Sequence, residues 1–315
     1  MFNTLILFVI GFYILIKGAN LLISGASSIA RFFNISQWAI GIIIVGIGTS
    51  IPELAINVAG VFNGTNVGLG TVIGSNIFNI LFVLGLSALI SPLLIKREWI
   101  RRDFTFNILA IITAALMMYL PILGDQTFVG ISRSEGVFLV ILFLAWATYI
   151  GTRKTELIKK IDYRAFAFFT SAVMVIAGLV GVFFGGRWIV SGAELIAHSI
   201  GISDYLIGLT IVGIGTSIPE LTVSLVAAFR KNTGIAIGNI IGSNIFDFLG
   251  ILGIVATLRP LTVAGDVKFD ILVTFGAAVL LLVSVFIGQR NILKRWEGGV
   301  FVLLYFLYLI VLLVR

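Results

Sequence analysis

GIIIVGIGTSIPEL, from Gly41 to Leu54, returns almost letter for letter as GLTIVGIGTSIPEL, from Gly208 to Leu221. Each copy carries a glutamate, Glu53 or Glu220, directly after a proline and inside a run otherwise apolar enough to cross a bilayer. A second matched pair follows, GSNIFN (Gly74 to Asn79) and GSNIFD (Gly242 to Asp247). A carboxylate in hydrocarbon is costly and by default marks a functional site. Two of them, at equivalent places in duplicated segments broken by glycine and proline, form the pattern of a transporter's ion site.

The repeat is wider than these motifs. SGASSIA (Ser24 to Ala30) matches SGAELIA (Ser191 to Ala197) at an offset of 167 residues, which holds through Glu53 and Glu220 and becomes 168 at Ser75 and Ser243. Of the 315 residues, 59% are hydrophobic and 11% charged, and the mean hydropathy is +1.16. A soluble domain cannot bury that much apolar surface, so the composition defines an all-α polytopic membrane protein. The chain has no cysteine and one histidine, His198. Disulfides, thiolate metal centres, cysteine catalysis and a multi-histidine metal site within one chain are thereby excluded. The N-terminus runs into apolar sequence from Leu5 with Lys17 inside it, and reads as a retained helix rather than a cleaved signal.

Hydropathy predicts ten transmembrane helices, at about 4–24, 37–62, 67–90, 102–121, 131–151, 166–190, 205–229, 234–257, 268–288 and 297–314. Most approach the ~20 apolar residues a crossing helix needs, far more than the ~10 of a barrel strand. They divide into a first five-helix repeat over 1–151 with its motif region at 41–93, a connecting loop at 152–165, and a second five-helix repeat over 166–315 with its motif region at 208–261. Five is odd, so the second half enters the membrane from the opposite face and the repeats are inverted. With both termini outside, fifteen Lys and Arg fall in inner loops and five on the outer side. That bias predicts both termini extracellular and the basic loops, at 96–102 and 153–164 above all, cytoplasmic. Topology thus accounts for the net charge of +7. Ions and the lipid bilayer are the expected partners; no nucleic acid and no obligatory protein partner is called for.

In Gly46-Ile-Gly-Thr-Ser-Ile-Pro-Glu53, Pro52 cannot donate to the carbonyl four residues back, and the glycines let the backbone deform and another helix approach. Carbonyls released within a membrane need a partner, which a cation in a protein-lined cavity supplies. Thr49 and Ser50 share a helical face with Glu53, as do Thr216 and Ser217 with Glu220; Ser75 pairs similarly with Asn79, and Ser243 with Asp247. Every candidate donor is oxygen, which suits a hard cation such as Ca²⁺ and disfavours zinc or copper. Glu53 and Glu220 together balance one divalent charge. A proline is ordinarily a kink, a glycine face ordinarily packs, and Ser and Thr also join helices. None of these accounts for a glutamate at the same offset in both copies. Asn76 and Asn244 read as bonds between helices, whereas Asn79 reads as lining the site because its counterpart is an acid. Arg187 and Glu194 are placed to pair near one mouth, although their counterparts Asn20 and Ser27 are uncharged. Trp38, Trp99, Trp188 and Trp296 lie at span ends, where interfacial aromatics are expected.

GTSIPE with GSNIFN, repeated as GTSIPE with GSNIFD, resembles the two alpha-repeats of the cation/calcium antiporter superfamily, in particular prokaryotic sodium/calcium exchangers. The resemblance implies a prokaryotic cell-membrane antiporter with no catalytic residues and no cofactor, exchanging Na⁺ for Ca²⁺ by alternating access. It implies Glu53 and Glu220 as principal Ca²⁺ ligands shared with Na⁺. Thr49, Ser50, Ser75, Thr216, Ser217 and Ser243, with carbonyls near Gly46 and Gly213, would complete the sodium subsites, flanked by Asn79 and Asp247. The first and sixth helices, carrying the SGAxxIA segments, would slide as a gate. An aspartate at position 247 resembles potassium-dependent exchangers, so K⁺ dependence stays open, as does the proton/calcium branch. From other classes, a cation channel also uses acids and exposed carbonyls, but inverted halves with buried acids favour alternating access. Two mirrored glutamates are poor candidates for a protease dyad.

Overall fold

A computed structural model describes residues 2–63, 67–120, 122–123, 129–152, 166–199, 213–263, 267–286 and 291–314. The stretch 205–212 of the seventh expected span, which holds the start of the second motif, lies outside the described residues, as does 153–165 of the connecting loop. What is described is helical apart from four two-residue strands. Helix α1 is Phe2–Phe32. A broken pair follows, α2 (Gln37–Thr49) and α3 (Ile51–Asn63). Helix α4 runs through Val67–Ile77, Phe78–Leu84 and Gly85–Ile90. Then come α5 (Arg97–Tyr119), α6 (Arg133–Thr152) and α7 (Phe168–Ser199). Helix α8 is Ile218–Phe229, preceded by the turn Gly213–Gly215. Helix α9 runs through Thr233–Ile245, Phe246–Ile251 and Leu252–Leu258; α10 is Lys268–Ser284 and α11 Arg295–Val314. Seven described helices are long and apolar enough to cross a membrane, and the broken pair makes an eighth. The protein is therefore an integral membrane protein. Helices α8 and α10, at 12 and 17 residues, are shorter.

Helices α1 and α7 outrun the expected 4–24 and 166–190, because the SGASSIA and SGAELIA segments continue them instead of ending them. Within α1 the serine hydroxyls turn back onto the helix, Ser24 to the Asn20 carbonyl at 2.8 Å and Ser28 to that of Ser24 at 2.9 Å, and so do not break it. The two helices lie antiparallel, backbone against backbone. A methyl group added at Gly18 would stand 2.7 Å from the Val182 nitrogen, and one at Gly178 only 2.6 Å from that of Leu22. Lys17 stays on the exposed face, its ammonium over the Tyr13 ring.

A second close crossing positions the motifs. A methyl at Gly242 of α9 would meet the Ile42 carbonyl oxygen at 2.5 Å, and one at Gly46 the Asn239 carbonyl oxygen at 2.8 Å. Helix α2 thus lies directly on α9, and the first copy of one motif meets the second copy of the other. Both GTSIPE copies break alike. Ser50 has φ −86° and ψ 6°, Ser217 has φ −93° and ψ 6°, and each proline sits in the first turn of the next helix, where its missing N–H costs little. The α2–α3 break bends the chain by 41°.

Strand pairs and glycine contacts also join the two halves of the chain. Leu93–Leu94 (β1) pairs antiparallel with Ile292–Leu293 (β4), and Gly130–Ile131 (β2) with Leu261–Thr262 (β3). Gly85 of α4 packs on Gly298 of α11, and Gly253 of α9 on Gly136 of α6. Glu135, beside Gly136, accepts from the backbone N–H groups of Ile122, Leu123 and Ser132; Glu297, beside Gly298, accepts from that of Lys294. Both glutamates are fold supports. The tryptophan reading needs correcting at Trp38 and Trp99, which are buried and stacked at 4.2 Å. The Trp38 indole N–H donates to Asp103, itself paired with Arg102 at 2.7 Å, so these rings pack inside the protein instead of facing outward. Trp296 is exposed, as expected.

Candidate cation site

Glu53, at the start of α3, is 2% exposed, and Glu220, at the start of α8, is fully buried. Their oxygen neighbours come from opposite copies of the motif. The Ser50 hydroxyl donates to Glu220 Oε1 at 3.0 Å, and Ser243 of α9 reaches the same oxygen at 3.5 Å. Thr216 stands beside the Glu53 carboxyl. The spacing predicts one helical face for Thr49, Ser50 and Glu53. The break at Ser50 turns Ser50 away from its own glutamate, so the sharing runs across the repeat. Glu53 also lies within electrostatic reach of both Glu220 and Asp247.

The Gly46 carbonyl is well occupied: it accepts from the Ser50 N–H at 3.2 Å, Thr49 Oγ1 at 3.2 Å and Ser243 Oγ at 3.0 Å. Gly213 lies in the short turn before Thr216. On the other motif pair, Asp247 Oδ2 accepts from Ser75 at 3.3 Å and Asn76 at 2.9 Å, while Asn79 donates to Asn244 Oδ1 at 3.2 Å. Asn76 and Asn244 therefore do bond across helices. Asn79 and Asp247 occupy equivalent places in the π-helical stretches Phe78–Leu84 and Phe246–Ile251. Such stretches recur at functional sites, and nothing in the spelling of GSNIFN announces one.

Unmet acceptors are concentrated in this cluster. Glu53 Oε2, Glu220 Oε2, Asp247 Oδ1, Asn76 Oδ1 and Asn79 Oδ1 are all buried without a hydrogen-bond partner, as are the hydroxyls of Thr216 and Ser217 and one donor, Asn244 Nδ2. A buried carboxylate oxygen left unpaired is expensive. Among the described residues, no three His, Cys, Asp or Glu side chains close into a metal cage. The oxygens on offer are a mixture of carboxylate, amide and hydroxyl, the donor set of a hard cation.

Sequence reasoning missed the layer behind the glutamates. Asn239 of α9 donates to the Glu220 carbonyl at 3.1 Å and to Ser224 Oγ at 2.9 Å, and accepts from Thr49 at 3.0 Å. In the first half, Asn57 donates to the Glu53 carbonyl at 2.7 Å and to Thr71 Oγ1 at 3.2 Å. The repeat register matches Asn57 with Ser224 and Thr71 with Asn239, so polar residues opposite polar residues in apolar helices were the available signal.

A cavity of about 460 Å³ reaches this region between Ala55 and Ala59 of α3, Arg187 and Glu194 of α7, and Thr216 and Pro219. Arg187 and Glu194 both line it, yet no ion pair joins them among the described residues.

A helical membrane protein built from a duplicated motif, with a buried oxygen cluster where the copies meet, belongs to the class of ion-handling membrane proteins. A family profile described as sodium/calcium exchanger protein matches residues 3–151 and 170–314. The chain belongs to that sodium/calcium exchanger family. It is 36% identical over 302 residues to an uncharacterized membrane protein of Methanocaldococcus jannaschii, covering 95% of this chain and 94% of that one. It is 29% identical over 345 residues to the sodium/calcium exchanger MaX1 of Methanosarcina acetivorans, covering 98% of each. A solved structure of the sodium-calcium exchanger NCX_Mj soaked with Na⁺ and Ca²⁺ superposes with a TM-score of 0.83 at 32% identity, over 98% of this chain and 97% of that one.

Proposed function

We propose that this chain is a secondary antiporter that exchanges Na⁺ for Ca²⁺ across a prokaryotic cell membrane, using one shared site and alternating access. The observation that carries this reading is the set of buried, unpartnered acceptor oxygens drawn from both copies of the motif. Glu53 and Glu220 are the principal ligands. Thr49, Ser50, Ser75, Thr216, Ser217 and Ser243 add hydroxyls, Gly46 and Gly213 add carbonyls, and Asn79 and Asp247 flank the centre. Two ionised glutamates balance Ca²⁺ or its sodium replacement, and without such compensation the site does not cross between states. The architecture is ten transmembrane helices in two inverted five-helix repeats, with both termini outside. The relatives named for sodium/calcium exchange support the assignment.

The test is counterflow. Vesicles carrying the purified protein and loaded with Na⁺ should take up labelled Ca²⁺ only while the sodium gradient lasts. Calcium flux that ignores the gradient, at channel rates, defeats the proposal. One observation favours a second arm: Asp247 is a buried acid with an unpaired oxygen where the first half has Asn79. Potassium and proton gradients imposed separately distinguish K⁺-dependent and H⁺-coupled exchange from the sodium-only form.

A further inference from the structure

The inverted repeat makes α1 and α7 equivalent, and their polar faces correspond residue by residue: Asn20 with Arg187, Ser24 with Ser191, Ser27 with Glu194. In this conformation the two faces do different things. Arg187, Ser191 and Glu194 line the cavity that runs to Thr216. Ser27 is buried, and Asn20 and Ser24 are half-buried. The Arg230 guanidinium, at the end of α8, donates to Ser24 Oγ at 2.9 Å and to Asn20 Oδ1. Just beyond it, Asn232 donates to Gln37 Oε1 at 3.2 Å and to Ser27 Oγ at 3.4 Å, and Ser27 donates to Gln37 at 2.9 Å.

These are opposite ends of the same helix pair. Phe8 of α1 packs at Gly192, level with the cavity. Ser24 lies about 24 Å further along α1, at 1.5 Å per residue. The helices beside the two faces differ in the same sense. Ile56 of α3 lines the cavity and is 42% exposed, whereas its equivalent in α8, Val223, is fully buried. The residue equivalent to Arg230 is Asn63, which carries no charge, so the two ends cannot close in the same way.

We propose that Arg230, seated on Asn20 and Ser24, is a latch that holds one of two approaches to the acid pair shut, while the Arg187–Ser191–Glu194 face lines the approach that is open here. This rests on the two-sided access assigned above. A guanidinium fork across two helices gives this end a preferred closed position that Asn63 cannot reproduce at the other, and biases the resting protein toward one access state.

The chain has no native cysteine, so single thiols report access directly. In purified protein in detergent, Ala59→Cys on the open side should react readily with a small hydrophilic thiol reagent, and its equivalent Val226→Cys, one turn below Arg230, should be protected. Adding Arg230→Gln, or separately Asn20→Ala, should raise the reaction rate at Val226→Cys by about tenfold or more, the shift that losing one charge-assisted hydrogen bond makes in a two-state equilibrium. Unchanged protection at Val226→Cys in both variants overturns the latch, as does equal reactivity of the two thiols in the unaltered background. If Arg230→Gln fails to fold, Asn20→Ala decides alone, since it leaves the arginine in place. Labelling needs no transport. Its failure beside intact sodium/calcium exchange removes the latch only, and absent exchange beside the expected labelling removes the transport assignment only.

Discussion

Glu220 accepts hydrogen bonds from Ser50 and Ser243, and Asn239 holds its backbone carbonyl from a neighbouring helix. Glu53, the same letter in the same motif, has its carbonyl held from within its own helix by Asn57, and the hydroxyl of Ser217, the counterpart of Ser50, finds no hydrogen-bond partner. On the proposed reading of an inverted repeat with two-sided access, this contrast is what a single access state requires. Equivalent residues have equivalent places in the chain, but alternating access would put only one of them on the closed side at any instant.

The largest effect should leave the contrast behind. Glu53→Gln and Glu220→Gln are each expected to lower exchange about a hundredfold or more, with size-exclusion profile and helical content unchanged, because removing one charge from a buried, compensated site costs about 3 kcal/mol or more. Substantial exchange in either variant breaks the pairing of the two acids. Next comes the supporting layer. Asn239→Ala should destabilise the protein by about 1–3 kcal/mol, read as a lower melting temperature in mild detergent, since it strips partners from the Glu220 carbonyl, Ser224 and Thr49. The double swap Asn239→Thr with Ser224→Asn, which copies the first half's arrangement, should recover part of that loss; no recovery would mean the two layers are not interchangeable.

A finer test compares the motif serines. Ser50→Ala removes a donor from a buried carboxylate and should lower both ion-free melting temperature and calcium affinity. Ser217→Ala removes a hydroxyl that has no partner, and should leave the ion-free melting temperature unchanged or raised while still weakening calcium uptake. Equal behaviour of the two alanines would mean that both halves are satisfied alike. The smallest change in expression should come from Asp247→Asn, which makes the second motif match Asn79; its effect is expected in which of Na⁺, K⁺ or H⁺ drives uptake. Identical ion dependence would show that Asp247 is no working ligand.

What is legible in the letters is what repeats. A glutamate after a proline in an apolar run, written twice, points to the buried cluster where the two copies meet, because an acid in hydrocarbon is costly and by default marks a functional site. Less legible is anything that depends on how one copy lies against the other. Ser50 shares a face with Glu53 only if the residues between them are continuously helical. The φ, ψ pair of Ser50 breaks that run and sends its hydroxyl to Glu220. The true length of α1 is hidden because serines and glycines usually end helices, yet here they form the face along which two backbones touch. Trp38 looks interfacial by position, and only the fold brings Asp103 to its indole. Asn239 escapes notice because a single amide in an apolar helix reads as glue until its partner is known.

The glycine seam between α1 and α7 has a mechanical consequence. With no side chains interposed at Gly18 and Gly178, the two backbones touch directly, and on the proposed topology the pair would move as one rocker with its far ends on opposite sides of the membrane. Under the alternating access proposed above, a tilt that lifts the α1 end off Arg230 would swing the Arg187 end inward in the same stroke, as in an airlock. Its two doors share a single hinge bar, and no timing between them has to be arranged.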